Sequence, residues 1–405
     1  MPPPSRVWPA ALATFVVVAG LVAIFVGPGP PPEPGPLPIA LVSTTAPTST
    51  TTITYLDTTV EPASVLPGWT ALDPGPLAPR TGAATVWTGE ELIVWGGATQ
   101  GGAYGDGAAY HPDRAAWRRI SEAPIAGSAD VVAVWTGAEM IVFTTTGSAA
   151  YDPVTNTWRA PARRPEDARH PVGAVWTGSE VVLVTHDQTQ ARLRDELVTV
   201  TYDPNDDRWR RAPDAPLPLS YASVLWTRHE VVAVGGFLDG GNRARSADGL
   251  ASAIAFNPVA QMWREVPGIG LPPYAVVAAW NGRQVIAWDY ELDARTSWLA
   301  ATTWQPAPGV PLDFAECYPE AAATENAVVG WHCGQAAVYQ LELPAATGHW
   351  TPIATPPDFD PEIFVPDSPV GIGADRVAFW GGDWDGTGGP FFFILDVPVA
   401  VAAAS

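Results

Sequence analysis

The sequence predicts an all-β fold, a seven-bladed β-propeller, and three observations carry that prediction. A similar unit recurs along the chain, and each copy has one tryptophan in an equivalent place. Successive tryptophans lie 41 to 54 residues apart, which is typical of one four-stranded blade. The 44 prolines and 38 glycines disfavour long helices because both residues interrupt them.

The first half of each unit predicts two strands. The first strand is rich in Gly, Ala and Val, as in residues 81–87, and small side chains suit the crowded innermost strand of a blade. A Thr-Gly or Asn-Gly pair follows, for example Thr88-Gly89. Glycine accepts positive φ, so we expect two-residue hairpins at these pairs. The next run is continuously apolar, which indicates a strand buried on both faces.

The second half of each unit predicts a third and a fourth strand. The third ends in Tyr-Asp-Pro or a variant of it, which places turns at four prolines: Pro112, Pro153, Pro204 and Pro258. The fourth carries the recurring tryptophan. The predicted closing tryptophans are Trp69, Trp117, Trp158, Trp209, Trp263, Trp304 and Trp350.

The two ends of the repeat region predict how the ring closes. The last copy has three strands and lacks a closing tryptophan, whereas Trp69 stands alone before the first copy. We therefore expect the N-terminal strand to complete the last blade, which removes exposed sheet edges. The fifth and sixth copies are degenerate, so six blades remain an alternative.

These motifs resemble the kelch-repeat family of propellers. The resemblance rests on the spaced tryptophans, on the Tyr before Asp-Pro, and on three Gly-Gly pairs: Gly96-Gly97, Gly235-Gly236 and Gly381-Gly382. It extends from Trp69 to about Pro398. Kelch-like propellers include adhesion and scaffold modules, sugar oxidases and sugar epimerases, so the resemblance implies a fold and leaves function open. It also implies that ligands dock on one face, built by loops between the second and third strands and between blades.

The N-terminal region predicts membrane attachment. Residues 7–27 form an apolar run with Arg6 before it, which is long enough for one membrane-spanning helix with residues 1–6 in the cytoplasm. A cleaved signal peptide is the alternative. Residues 28–65 are rich in Pro, Thr and Ser and predict a stalk, with O-glycosylation of the Thr/Ser tract as a further possibility. The propeller is predicted over residues 66–398, outside the cytoplasm, with a tail at 399–405.

The net charge argues against one class of partner, and the positions of the two cysteines predict a disulfide. The net charge of -21 repels phosphate backbones, so nucleic acid is excluded as a partner. The repeat register places Cys317 on an innermost strand and Cys333 on the next strand of the same sheet, at similar distances from the turn between them, which predicts a disulfide. A metal site using Cys317, His332 and Cys333 is disfavoured because adjacent strand residues point in opposite directions. No metal and no cofactor is predicted. The acidic turns at Asp383 and Asp385, and at Asp203, are interpreted as Gly/Asp turns.

One charge asymmetry predicts a binding site. Residues 159–245 contain 12 Arg and 12 acidic residues, whereas the remaining chain has 9 Arg and 30 acidic residues. Seven of these arginines fall in loops assigned to one face: Arg163, Arg164, Arg169, Arg192, Arg194, Arg243 and Arg245. Arginine forks pair well with carboxylates, so the loops predict an anion-binding rim. The alternative is local pairing with Glu166, Asp167 and other nearby acids.

The sequence therefore predicts a membrane-anchored binding or scaffold module that recognises a protein or glycan through its loop face, without catalysis. A sugar-active enzyme, epimerase-like or oxidase-like, is the alternative. Glu291, His186 and Asp239 are acid/base candidates for that alternative, but their spacing assigns them no role. Oligomeric state and ligand identity do not follow from the sequence.

Overall fold

The computed structural model describes residues 68–186, 197–217, 219, 222–235, 253–266, 269–271, 276–289, 291–298, 304–312, 320–325, 327–332, 335–342, 347–356, 365–383, 385–386 and 388–397. The predicted membrane helix, stalk and tail lie outside these residues, and so do Cys317 and Cys333. Within the described ranges, no helix has both the length and the apolar character needed to span a bilayer.

The regular elements of the described residues are strands, apart from one short 3-10 turn. It begins with β1 (Gly68–Ala71), and the first sheet follows with β2 (Thr81–Trp87), β3 (Leu92–Thr99), β4 (Gly102–Ala103), β5 (Gly107–His111) and β6 (Ala116–Arg119). A short 3-10 turn at Pro112–Arg114 separates the last two. The second sheet contains β7 (Val132–Trp135), β8 (Met140–Phe143), β9 (Ser148–Asp152) and β10 (Thr157–Arg159).

The third to fifth sheets repeat this order. The third contains β11 (His170–Trp176), β12 (Val181–His186), β13 (Leu197–Asp203) and β14 (Arg208–Arg211). The fourth contains β15 (Ser223–Trp226), β16 (Val231–Val234), β17 (Ala253–Asn257) and β18 (Met262–Val266). The fifth contains β19 (Val277–Trp280), β20 (Gln284–Trp288), β21 (Ala294–Trp298) and β22 (Gln305–Ala307).

The last two sheets complete a ring. The sixth contains β23 (Glu320–Ala323), β24 (Ala327–His332), β25 (Gln335–Glu342) and β26 (Thr347–Ile353), and the seventh begins with β27 (Val365–Gly371), β28 (Arg376–Gly382) and β29 (Phe391–Asp396). Neighbouring strands within these seven sheets run antiparallel. Neighbouring innermost strands contact one another in chain order, and β27 contacts β2. The described residues therefore form a propeller of seven sheets.

The N-terminal strand completes the seventh sheet. β1 pairs with β29, with Trp69 opposite Leu395, so the sheet order is β1-β29-β28-β27. The Trp69 ring packs edge-on against Trp331 and Phe379 with centroids 5.7 and 5.1 Å away. The predicted closure by the N-terminal strand is thus present, and it covers what would otherwise be a free edge on β29.

The closing tryptophans attach each sheet to the one before it. The indole Nε1–H of Trp158 donates to the carbonyl oxygen of Ser121 at 2.8 Å, and that carbonyl lies just after the outer strand of the first sheet. Trp69, Trp117, Trp209, Trp263 and Trp350 donate in the same way to Ala354, Asp73, Ala162, Pro213 and Pro308. Trp304 departs from this pattern because its buried Nε1 finds no hydrogen-bond partner in the described ranges.

The turns between first and second strands differ from the prediction. Trp87 pairs with Leu92, and beyond this pair the backbone N–H of Thr88 donates to the carbonyl oxygen of Glu91 at 3.0 Å. The tight turn is therefore centred on Gly89 and Glu90, one residue later than the expected Thr88-Gly89 pair. The Thr88 hydroxyl accepts hydrogen bonds from the backbone N–H groups of Glu90 and Glu91. Gly89 has a φ of +100°, and the predicted positive φ at this glycine is therefore present. The Thr88 side chain therefore stabilises the turn through its own hydrogen bonds to the turn backbone.

A repeated ion pair joins these turns to the outer strands. In the second sheet, Arg159 donates from Nε and Nη2 to the two oxygens of Glu139, at 2.7 and 2.6 Å. The same pairing occurs between Glu91 and Arg118, Glu180 and Arg210, and Glu230 and Arg264. Arg159 also donates to the Tyr202 hydroxyl of the third sheet at 3.1 Å. An arginine that binds both oxygens of a glutamate in its own sheet and a hydroxyl of the next sheet fixes the two sheets relative to each other.

Candidate functional site

A groove opens on the side of the ring that carries the loops between second and third strands and between sheets, called the loop side here. The loop from β8 to β9 and the segment from β10 to β11 form its walls. Its volume is about 550 Å³, and it is lined by residues 145–148, 161–166 and Arg169. These residues are called the arginine groove below. Sites for small ligands have volumes of roughly 300–1,000 Å³.

Arg164 has an unused donor inside the arginine groove. Its Nη2 donates to the backbone oxygen of Thr144 at 2.7 Å and to that of Arg169 at 3.4 Å. Its Nη1 is buried and has no hydrogen-bond partner among the residues that the structure describes. Burial lowers the pKa of the Arg164 guanidinium to about 10, because a low-polarity environment disfavours the charged form. An anion placed at Nη1 would satisfy the donor and compensate the buried charge.

Two more arginines contribute positive charge at the rim. Arg163 donates to Oε1 of Glu166 at 2.8 Å, but the side chains are 84% and 72% exposed. Such an exposed ion pair is worth roughly 0–1 kcal/mol, so an incoming anion can replace Glu166 at little cost. Arg169 is exposed and donates from Nε to the backbone oxygen of Glu166 at 2.7 Å. The two side chains therefore hold charge near the groove without a strong partner.

Ser148 adds a hydroxyl to the same groove. It is the first residue of β9, and its Oγ is buried and has no partner within the described part of the chain. A buried hydroxyl without a partner loses its hydrogen bonds to water and gains none from the protein, which is unfavourable. The arginine groove thus contains two unsatisfied polar atoms, one on a guanidinium and one on a hydroxyl.

The structure brings together three of the seven arginines predicted for the rim. Arg163, Arg164 and Arg169 line one groove, whereas the other four, Arg192, Arg194, Arg243 and Arg245, lie outside the described residues. The local-pairing alternative holds for Arg163 with Glu166. Asp167, its other proposed local acid, pairs with Arg211 instead.

The sequence interpretation did not identify Ser148. The available signal was the second repeat's departure from Gly-Gly, since Thr144-Thr145 stands at that position. The Thr144 hydroxyl accepts from the backbone N–H of Gly147 at 3.1 Å, which tightens the β8–β9 loop. This tight loop presents Ser148 and the Thr144 carbonyl to the segment that carries Arg164.

Another arginine on the loop side, Arg80, has a structural role. Arg80 is fully buried, and it donates to the backbone oxygens of Ala78 and Gly96 and to Asp106. Its guanidinium carbon lies 3.9 Å from the centre of the Tyr104 ring. Burial alone would raise the pKa of Asp106, but hydrogen bonding and charge from Arg80 hold it below its usual range. These contacts join β2 to the loop before β5.

Two buried carboxyls on the loop side do not share one face. Glu320 starts β23, and its Oε2 is buried without a partner. The next residue, Ala321, packs with the fifth sheet, so the alternation of a strand turns Glu320 towards the seventh. Asp289 follows Trp288, which stacks on Trp350 of the sixth sheet, and by the same alternation it is directed towards the fourth. These two carboxyls therefore do not form an acid/base pair.

The other proposed acid/base residues are also separated. His186 pairs across the strands with His170 in the third sheet, Glu291 is exposed beside the fifth, and Asp239 lies outside the described residues. The acidic turns have structural roles: Asp383 accepts the backbone N–H of Gly388 at 2.6 Å, and Asp203 accepts that of Asn205 at 2.9 Å. Among the described residues, no cluster of three or more His, Cys, Asp or Glu side chains could hold a metal ion.

The opposite end of the central axis is narrow and apolar. Trp87, Trp135 and Trp176 end the innermost strands of the first three sheets, and with Val370 and Gly371 they surround a crevice of about 20 Å³. A cavity needs roughly 10–15 Å³ to hold a single water molecule. No ligand larger than water fits there, so of these two pockets formed by described residues the arginine groove is the candidate site.

Comparison with known proteins leaves the family unassigned. No protein-family model matches the chain, and no curated protein matches it at a significant level. The described structure shows an all-β propeller, and the arginine groove is the feature of it that bears on function.

Proposed function

We propose that this chain is a kelch-like binding module, held outside the cytoplasm by its N-terminal apolar segment, that recognises an anionic protein or glycan through the loop side of its propeller without catalysis. The spaced tryptophans support the kelch-like assignment, and the apolar run at residues 7–27 supports membrane attachment. The stalk at residues 28–65 would separate the propeller from the bilayer.

The observation that carries the proposal is the Nη1 atom of Arg164, which is buried without a partner in a groove of ligand size. A protein rarely leaves a buried charged donor unsatisfied, since the loss is about 1–3 kcal/mol or more. Arg80 shows how the same fold satisfies an arginine that has a purely structural role. Arg164 is therefore assigned to an external acceptor.

A sugar-active enzyme is the second candidate, favoured by the two buried carboxyls, Asp289 and Glu320. Burial raises the pKa of Asp289 to about 6 and that of Glu320 to about 8, values suited to general acid/base catalysis. Because the two carboxyls lie on separate faces, binding without turnover is the better-supported function.

The test uses the purified full chain and a panel of acidic and neutral glycans and peptides. We expect an acidic member of the panel to bind, and Arg164→Gln to weaken its binding by about tenfold or more. Arg163→Gln, which changes an exposed side chain, should weaken it by a smaller factor. Arg283→Gln removes the same charge from an exposed turn at the other end of the strands and should leave binding unchanged.

Two results would contradict the proposal. One is ligand binding on which Arg164→Gln and Arg283→Gln have equal effects, because the arginine groove would then not be the site. The other is conversion of the bound ligand into a product, measured by chromatography after incubation, which would favour the enzyme instead.

A further inference from the structure

The donors of the arginine groove differ in kind, and this difference restricts the ligand. The guanidinium of Arg164 supplies an unused N–H, and Ser148 supplies an unused hydroxyl. A carboxylate has two oxygens, so one can accept from Arg164 Nη1 while the other accepts from Ser148 Oγ. Both unsatisfied atoms would then be paired by one group of the ligand.

The walls of the groove disfavour a peptide. Its apolar lining is limited to Pro161, Ala162 and Pro165, with no aromatic or long aliphatic side chain among the lining residues. Peptide recognition usually depends on a few aromatic or aliphatic anchors in apolar pockets. The other wall is lined by Thr145, Thr146 and Ser148, three hydroxyl-bearing residues of which Thr146 already pairs with the Thr144 hydroxyl at 3.2 Å. Hydroxyl-bearing residues suit a ligand rich in hydroxyl groups.

The charge of the groove favours a carboxylate over a sulfated chain. Glu166 lies at the rim beside Arg163, and the whole chain carries a net charge of -21. A sulfated ligand with several charges per sugar unit would meet this field more strongly than a ligand with a single carboxylate per unit. The volume of about 550 Å³ also suits a short saccharide better than a flat protein surface.

From these observations we infer that the arginine groove binds a uronic-acid-containing glycan, with the sugar carboxylate between Arg164 and Ser148 and the ring hydroxyls towards Thr145 and Thr146. This inference rests on the proposed function, because it names the ligand class of the same groove. It adds a role for Ser148, a residue with no other polar partner for its Oγ.

The experiment measures the affinity of the full chain for a short oligogalacturonate by titration calorimetry. The matched probes are the same oligosaccharide with its carboxyls reduced to alcohols, an oligosaccharide sulfate of equal length, and a Glu-rich peptide. We expect the reduced sugar, the sulfated sugar and the peptide each to bind at least about tenfold more weakly than the uronate.

Variants separate the contacts. Ser148→Ala should weaken uronate binding several-fold, since it removes the hydroxyl that would donate to one oxygen of the sugar carboxylate. Arg164→Gln should weaken uronate binding by about tenfold or more. Arg163→Gln alters an exposed side chain and gives a folded comparison if the Arg164 variant does not fold. Arg283→Gln is the charge-matched control.

The outcomes distinguish this inference from the broader proposal. Peptide or sulfated sugar binding as tightly as uronate, with Ser148→Ala without effect, would overturn the uronate assignment and leave an anion-binding groove in place. Equal binding of uronate and its reduced form would also overturn the assignment. If no acidic probe binds in an Arg164-dependent manner, both the inference and the proposed function fail.

Discussion

Arg80 and Arg164 both lie on the loop side, but they differ in the hydrogen bonds that their guanidinium groups make. Arg80 donates to two carbonyls and a carboxylate, whereas Arg164 keeps Nη1 unpaired. The sequence predicted that Arg163, Arg164 and Arg169 belong to one face, because the repeat register assigns their loop to that face. It could not predict that Arg164 is half-buried with Nη1 enclosed, since this depends on the Thr144 loop, 20 residues away.

At the residue scale, Glu320 predicts a pH dependence of stability. Burial raises its pKa to about 8 in the folded protein, whereas an unfolded glutamate titrates near 4.3. The folded state therefore keeps a proton that the unfolded chain loses, so this residue's contribution is fully present below about pH 4.3 and falls as pH rises to about 8.

The measurement is the melting temperature of wild type and Glu320→Gln between pH 5 and about 8.5. The glutamine variant keeps a neutral side chain at every pH, so we expect its stability relative to wild type to rise with pH. Glu325→Gln changes an exposed residue of the following turn and serves as the control. Parallel curves for wild type and Glu320→Gln would show that Glu320 does not retain its proton in the folded state.

At the element scale, the turn between the first two strands shows where sequence patterns were insufficient. Thr-Gly indicated a hairpin with these two residues at its tip, yet Thr88 bonds to Glu91 and the tip is formed by Gly89 and Glu90. The missing information was the glutamate at the fourth turn position, which pairs with an arginine directly after the closing tryptophan. Glu139 and Arg159 illustrate this pairing. Its recurrence in four successive repeats was visible in the sequence, because both residues keep their places relative to the two strands.

The Gly-Gly pair of the first sheet gives a prediction about packing. Gly97 has a φ of +87°, and a Cβ there would lie 2.9 Å from the backbone nitrogen of Ala83 and the backbone oxygen of Thr81. Gly97→Ala therefore combines backbone strain with a steric clash, and we expect a loss of more than about 2 kcal/mol in the free energy of unfolding.

Gly89→Ala is the matched comparison. Gly89 also has positive φ, +100°, but a methyl group added there would meet no atom within 4 Å. Strain alone should reduce stability by about 1 kcal/mol, as measured by urea unfolding. Equal losses for the two substitutions would indicate that the close approach of β2 and β3 at Gly97 contributes nothing.

At the scale of the whole molecule, the ring depends on the pairing of β1 with β29. The sequence predicted this closure from a single unpaired tryptophan, because a repeat that lacks its last strand requires one from elsewhere. The sequence could not supply the acceptor of the Trp69 indole, Ala354 O at 2.5 Å, since that carbonyl belongs to the sixth sheet. The number of strands in each repeat thus predicts which strands pair. The hydrogen-bond partner of a side chain such as the Trp69 indole depends on how neighbouring sheets pack, which the repeat pattern does not show.

Removal of β1 should destabilise the entire ring. A chain that starts after Ala71 leaves β29 without a neighbour and removes the Trp69 ring from Trp331 and Phe379. We expect its melting temperature to fall by at least about 4 °C relative to a chain that starts at residue 67. Early proteolysis within the seventh sheet should accompany the loss, because an uncovered edge opens more readily. Identical melting curves would show that closure is not needed for stability.

The seam in the seventh sheet has a practical consequence. Gly68 lies directly opposite Asp396, so the Cα atoms of the two residues should be only about 4.5–5.5 Å apart. A short peptide linker could join the strands at this point, and new ends could be opened at an exposed turn such as the one at Gly89. Circular permutation would then move the join between β1 and β29 elsewhere while preserving the order of the sheets around the axis.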